Sequence, residues 1–264
     1  LLMPGEVQVP GITDAALARN SSAIQTQRVD RSYTITVRAV DNWHNIRTSA
    51  GGQISANSTD PYDSEPSATD LTGGLTTFTF TPVYAGTQSV TTSGAGYAPS
   101  TSTIFNVNTS SAVRLLVLAP NQTQSPGNFS VRGKEGVIAG QRAGVSFTVT
   151  VKAVDSKYNT DISVSSNVHV RSSDLWDVEP ATQTLENGTT VFTLTLVSAS
   201  TATQLIAVHT GGGNPLLSDT TESVSVAVST ITGLYKLQVL LPGEQSAPGK
   251  SPYDGNPTSG GKQG

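Results

Sequence analysis

The chain has 264 residues, a formal net charge of −4, 13% charged side chains and no cysteine. So mild a charge, with no basic stripe, excludes a nucleic-acid or membrane-surface binder held by phosphate contacts, and the missing cysteine excludes disulfides and thiolate metal sites. No segment approaches the ~18 apolar residues of a membrane-spanning helix.

The opening residues carry no basic n-region and meet Pro4 at once, so no signal peptide is expected there. "LLMPGEVQVPG" at Leu1 instead introduces a pattern of Pro, five residues and Pro-Gly. Next comes "YTITVRAVDNWHN" from Tyr33, whose apolar residues alternate with polar ones as in a half-buried strand. "STDPYDSEP" from Ser58 then places Asp60, Asp63 and Glu65 within six residues. A turn signal, "TGGL" at Thr72, leads into the apolar alternation of Phe78 and Phe80.

From Leu116 the series begins again. "LVLAPNQTQSPG" repeats the Pro-Gly pattern, and "FTVTVKAVDSKYN" from Phe147 repeats the first strand 114 residues on. In 145–153, Val145, Phe147, Val149, Val151 and Ala153 share the face expected to be core. "SSDLWDVEP" from Ser172 repeats the acidic loop with Asp174, Asp177 and Glu179, again 114 residues on. "ENGT" at Glu186 and the alternation of Phe192, Leu194 and Leu196 follow. "QVLLPGEQSAPG" from Gln238 opens the pattern a third time, and "GKQG" at Gly261 echoes "GKEG" at Gly133.

A period of this size means whole domains in array, not a solenoid of short units. Ser and Thr make up 68 residues, and Val and Thr dominate the periodic segments, a composition for pleated surfaces. Further strands are expected near 52–58, 87–92, 101–107, 166–172, 203–209 and 222–229, and no amphipathic helix is expected. The sequence thus predicts an all-β protein: two tandem immunoglobulin-like antiparallel β-sandwiches of about seven strands each. The expected domains are 1–112, 113–233 and, in 234–264, the opening strand and Pro/Gly-rich linker of a third copy.

"FTVTVKAVDSKYNTD", "VRSSD" and "TTVFTLTLVSASTATQLIAV" together resemble the bacterial immunoglobulin-like repeats of giant secreted and surface proteins. The Pro-Gly-Glu junction is similar to the linker between such repeats. The resemblance covers roughly 30–110 and 144–230, and the first copy departs from it at "NWHNIRTSAGG" and at Pro82, where the second has Leu196. It implies an extracellular or cell-surface spacer, adhesin stalk or filament without catalysis.

The acidic loops admit two readings. Asp60, Asp63 and Glu65, or Asp174, Asp177 and Glu179, are candidate calcium ligands, because calcium takes several carboxylate and carbonyl oxygens. Asp155, with Asn159, lies in a different loop and has counterparts in Asp41 and Asn45. An acidic loop of one copy meeting the Asp155 loop of the next would make an interdomain calcium clamp. Alternatively these residues cap turns through bonds to their own backbone, which is the reading the spacing favours, since no EF-hand pattern is present. No other cofactor is expected.

Tyr62 and Trp176 sit at matched positions in those loops, where they would stack on surface glycans or fold back over the core edge. His44, His169 and His209 have no metal spacing, and neither a Gly-x-Ser-x-Gly elbow nor a phosphate loop occurs. Asn-x-Ser/Thr sequons begin at Asn20, Asn57, Asn108, Asn121, Asn128 and Asn187, about as often as this composition gives by chance.

Three functions are therefore expected to compete: a structural stalk or filament segment, a carbohydrate- or protein-binding adhesin module, and accessory repeats of a secreted enzyme. In the first, "LYKLQVLLPGE" is the opening strand of a further domain. It pairs either inside a longer array or, by strand addition through 234–241, with an identical subunit.

Overall fold

The computed structural model describes residues 1–20, 24–211, 217–222, 224–233, 237–250 and 262–263. These form strands, turns and irregular segments, with no helix among the described residues. They divide into two compact units, Leu1–Ser110 and Ser111–Gly264. Gly261, the start of the second Gly-Lys motif, and Leu234 to Lys236, the start of the tail strand, lie outside the described residues.

In the first unit the longer strands are β1 (Tyr33–Arg38), β2 (Gln53–Ser58), β3 (Leu75–Phe80), β4 (Gly86–Gln88), β5 (Val90–Gly94), β6 (Tyr97–Thr101) and β7 (Phe105–Asn108). β1 pairs with β3 in antiparallel register, Tyr33 opposite Phe80. The order β2–β5–β6 makes a second sheet, extended by Thr69–Asp70, and β4 pairs with β7. Tyr33, Ile35, Val37, Phe78 and Phe80 are buried, as the alternation predicts, and meet Ile54, Val90, Phe105 and Val107 in one core.

In the second unit they are β8 (Arg114–Leu118), β9 (Phe147–Val154), β10 (Asn167–Ser172), β11 (Thr189–Leu194), β12 (Ser200–Gly211), β13 (Ser218–Glu222) and β14 (Val224–Ser229). The sheet β11–β9–β8–β13 faces the sheet β14–β12–β10. Phe147 lies opposite Leu194, each 114 residues beyond its partner in the first unit. Between the sheets, Phe147, Val149, Val151, Phe192 and Leu194 close the core with Val168, Val170, Leu205 and Val226.

Four expectations need correction. Val145 does not share the core face: it is 45% exposed, because the turn from Arg142 to Val145 precedes the strand. The segment expected at 101–107 is two strands, β6 and β7, broken at buried Ser102, whose Oγ accepts from the Val90 N–H at 2.9 Å. Pairing is not antiparallel throughout: β8 runs parallel to β13, Gln27–Arg28 to β7, and Gln141–Arg142 to β14. The described tail residues 237–240 are not in a strand, and Leu237, Val239 and Leu241 are exposed.

The turn signals hold. Asn187 and Gly188 have φ of 49° and 68°, which lets the chain reverse in two residues between Glu186 and Thr189. Gly188 is required twice over, since a Cβ there would lie 2.3 Å from the Asp161 carbonyl oxygen.

Candidate functional site

Each acidic loop starts from the serine that ends a strand. Ser58 ends β2, and its Oγ accepts from the Asp60 N–H and donates to Asp63 Oδ2, both at 2.9 Å. Its own N–H donates to Glu65 Oε1 at 2.8 Å. Ser172 ends β10 and does the same with Asp174 (2.9 Å), Asp177 (2.8 Å) and Glu179 (2.9 Å). The three acids of each loop thus fold around one serine, as the turn-forming reading expects.

The first acid of each set reaches further. Asp60 Oδ1 accepts from the Tyr62 N–H at 3.0 Å. Its Oδ2 accepts from the N–H groups of Val83 (2.8 Å) and Tyr84 (2.9 Å) and from Gln88 Nε2 (3.2 Å). Asp174 accepts from the N–H groups of Trp176 (3.1 Å), Val197 (2.7 Å) and Ser198 (2.8 Å), and from Ser198 Oγ (2.7 Å). Each aspartate is therefore a buried staple between the loop after one strand and the loop after β3 or β11. Its partners lie 23 and 24 residues downstream, too far for the turn patterns of the sequence to show them.

Electrostatics separate the acids. Burial pushes the Asp174 carboxyl up, but the bonds from Ser198, Val197 and Trp176 outweigh it and hold the carboxyl below its ordinary value. Asp177, Asp63 and Glu65 are raised, chiefly by burial. Burial also raises the Tyr33 phenol, with the charges of Asp63, Asp60 and Glu65 adding to it.

Among the described residues no group of three or more His, Asp or Glu side chains is placed to hold a metal ion. Asp155 is fully buried, and its Oδ1 accepts from the N–H groups of Lys157 and Asn159, both at 2.9 Å. Its carboxylate closes its own loop, and Asp41 does the same with Trp43 and Asn45. The Asp41 carboxyl is lowered, chiefly by the Asn45 side chain. Tyr62 is 39% exposed and Trp176 is half-buried. His169 is half-buried within β10, and its Nδ1 is enclosed.

Two features escaped the sequence. The first is Tyr158, 2% exposed, which joins Leu116, Leu118 and Val154 in a small second core on the outer face of β8 and β9. Arg114 lies 5.0 Å from its ring centre and donates to its hydroxyl at 3.1 Å. The second is a cap at each Pro-Gly junction. Glu6, Gln122 and Glu244 accept from the N–H of the residue before Pro4, Pro120 and Pro242, at 2.7, 3.1 and 2.7 Å. The residue after each of these prolines, Gly5, Asn121 or Gly243, has φ of 90°, 70° or 93°. This is a Pro-led turn with a left-handed second residue, locked by an acceptor one residue later.

The first unit also holds a cavity of 530 Å³. Arg38, Ala39 and Val40 form one wall, Tyr97 to Thr101 of β6 the other, with Leu1 and Leu2 at its end. In the second unit the equivalent wall residues, Lys152, Ala153 and Val154, pair with Leu116, Leu115 and Arg114 of β8.

The fold is all-β, and in the second unit two sheets pack face to face as a sandwich. No protein-family model matches the chain, and no curated protein is similar to it in sequence. Similar solved structures include the adhesin InvE of Yersinia pseudotuberculosis (18% identity, 76% of this chain and 56% of that one, TM-score 0.31). The D0–D1 domain of intimin is similar at 14% identity, over 76% of this chain and 94% of that one, with a TM-score of 0.27. A β-glucuronidase of Bacteroides uniformis is similar at 8% identity over 78% of this chain, with a TM-score of 0.30, and the chain spans only 24% of its length. At this level of similarity these structures carry nothing about function. No helix among the described residues is long and apolar enough to cross a membrane.

Proposed function

We propose that the chain is a non-catalytic structural segment of a long extracellular bacterial stalk, adhesin or filament, built of repeated immunoglobulin-like domains. What supports it is repetition down to single hydrogen bonds. The Ser58 and Ser172 loops share three bonds within 0.1 Å of each other, and the Pro-turn cap occurs three times. Chemistry kept in duplicate that only closes turns serves shape. The acids are turn-formers in this reading, so millimolar calcium followed by chelator should leave the calorimetric melting temperature unchanged. A reversible rise with calcium would restore the metal reading.

A second reading, strand addition between identical subunits through 234–241, is supported by the exposed apolar side chains of the tail. Leu237, Val239 and Leu241, which alternate along the segment, are 101%, 69% and 59% exposed, as apolar side chains are before a strand edge is paired. One experiment separates the two. Light scattering with small-angle scattering on the 1–264 chain should give a monomer, and a tandem fusion of two copies should lengthen the particle in proportion. Growth with concentration that stops on deleting 237–241 would establish strand exchange instead.

A further inference from the structure

The acidic loop of the second unit carries a seated partner. Past the Pro242 turn, Ala247 and Gly249 are buried although their neighbours Glu244 to Ser246 are largely open. Gly249 packs against Ser198, which the Asp174 staple holds in place. Ser198 Oγ, which donates to Asp174 Oδ1 at 2.7 Å, also reaches the Pro248 carbonyl oxygen at 2.9 Å, so one hydroxyl proton serves two acceptors. Lys250 Nζ lies 5.8 Å from the centre of the Trp176 ring, within reach of cation–π attraction.

Gly249 fits closest. It has φ of +86°, and a Cβ there would lie 2.2 Å from Ser198 Oγ and 3.1 Å from the Ser198 backbone nitrogen. The second distance means that turning the serine side chain away does not by itself make room. The surface made by Asp174, Trp176 and Ser198 is therefore shaped to a turn with glycine at this position and a cation after it.

We propose that the Asp174 loop is a socket for the Pro-Gly turn that opens the following repeat, its occupant being Pro248–Lys250. This rests on the repeat reading above and assigns the acidic loop its task within it: fixing one domain against the next. Asp174 holds Val197 and Ser198 in place, Ser198 receives the turn, and Trp176 receives the cation.

The test uses the 1–264 chain in a Trp43→Phe background, which leaves Trp176 as the sole tryptophan. Gly249→Ala should shift Trp176 emission to longer wavelength. It should also speed hydrogen exchange of the Lys250 amide, now bonded to the Ala247 carbonyl at 3.2 Å, by about tenfold or more. Trp176→Ala should speed the same amide from the other side of the contact. Gly243→Ala, at a φ of 93° with nothing within 4 Å of the added carbon, disturbs the preceding turn only and should leave Trp176 emission unchanged. Wild-type emission and exchange in Gly249→Ala, or wild-type exchange in Trp176→Ala, would overturn the socket. Failure of the repeat reading looks different: the tandem fusion would not lengthen in proportion, whatever Gly249 does.

Discussion

Phe192→Ala is expected to destabilise the second unit by about 3–5 kcal/mol. Phe192 is wholly buried, in the middle of β11, and pairs across the ladder with Val149. The core around it comes from both sheets, with Val168 and Val170 on β10 and Leu205 on β12. Such a core cannot close over an absent ring without bending two sheets, so most of the cavity persists. Its neighbour Val191 is 50% exposed on the opposite face of the same strand. Val191→Ala should therefore change stability by no more than about 0.5 kcal/mol. Urea unfolding followed by Trp176 emission measures both. Equal effects at 191 and 192 would refute the strand phase.

That phase was legible because it is local. Two-residue alternation in 147–153 and 190–196 carries its own face assignment, and the Asn187–Gly188 turn marks where β11 begins. What was not legible depends on distance along the chain. Tyr158 sits in a loop with no periodicity, and its burial comes from the 119–137 segment folding over β8 and β9, so no local pattern announces it. The acids were visible as a cluster, and a cluster alone suits calcium or a turn equally. Only Val83, Tyr84, Val197 and Ser198, brought in by the next loop, show where the oxygens of Asp60 and Asp174 are spent. Val145 misled because alternation continues one step beyond the strand, while the Gly144 turn has already taken that residue away from the sheet. The broken strand at 101–107 is similar: apolar Ile104 and Phe105 suggest continuity, yet Ser102 turns inward to bond the Val90 N–H.

Asp174→Ala should cost the second unit about 2–4 kcal/mol, because the N–H groups of Trp176, Val197 and Ser198 lose their acceptor at a buried position. Asp174→Asn keeps an acceptor but turns an NH2 group toward donors, and should fall between Ala and the parent. The pH dependence gives a sharper result. The Asp174 carboxyl is held below its ordinary value. Its contribution is therefore present above the unfolded pKa of about 3.9 and is lost as pH falls through the folded value. Asp177 is raised, chiefly by burial, and has the opposite sign: the folded state favours its proton, so stability is lost as pH rises through its folded value. Asp174→Ala should thus flatten the acid limb of the stability curve below about pH 4. Asp177→Asn should leave that limb in place and give a small gain at neutral pH, since an asparagine oxygen still accepts from Ser172 Oγ without the charge. Melting temperatures from pH 2 to 7 for the parent and both variants decide the matter. An acid limb of undiminished slope in Asp174→Ala would show that the staple carboxylate is not what holds the loops together.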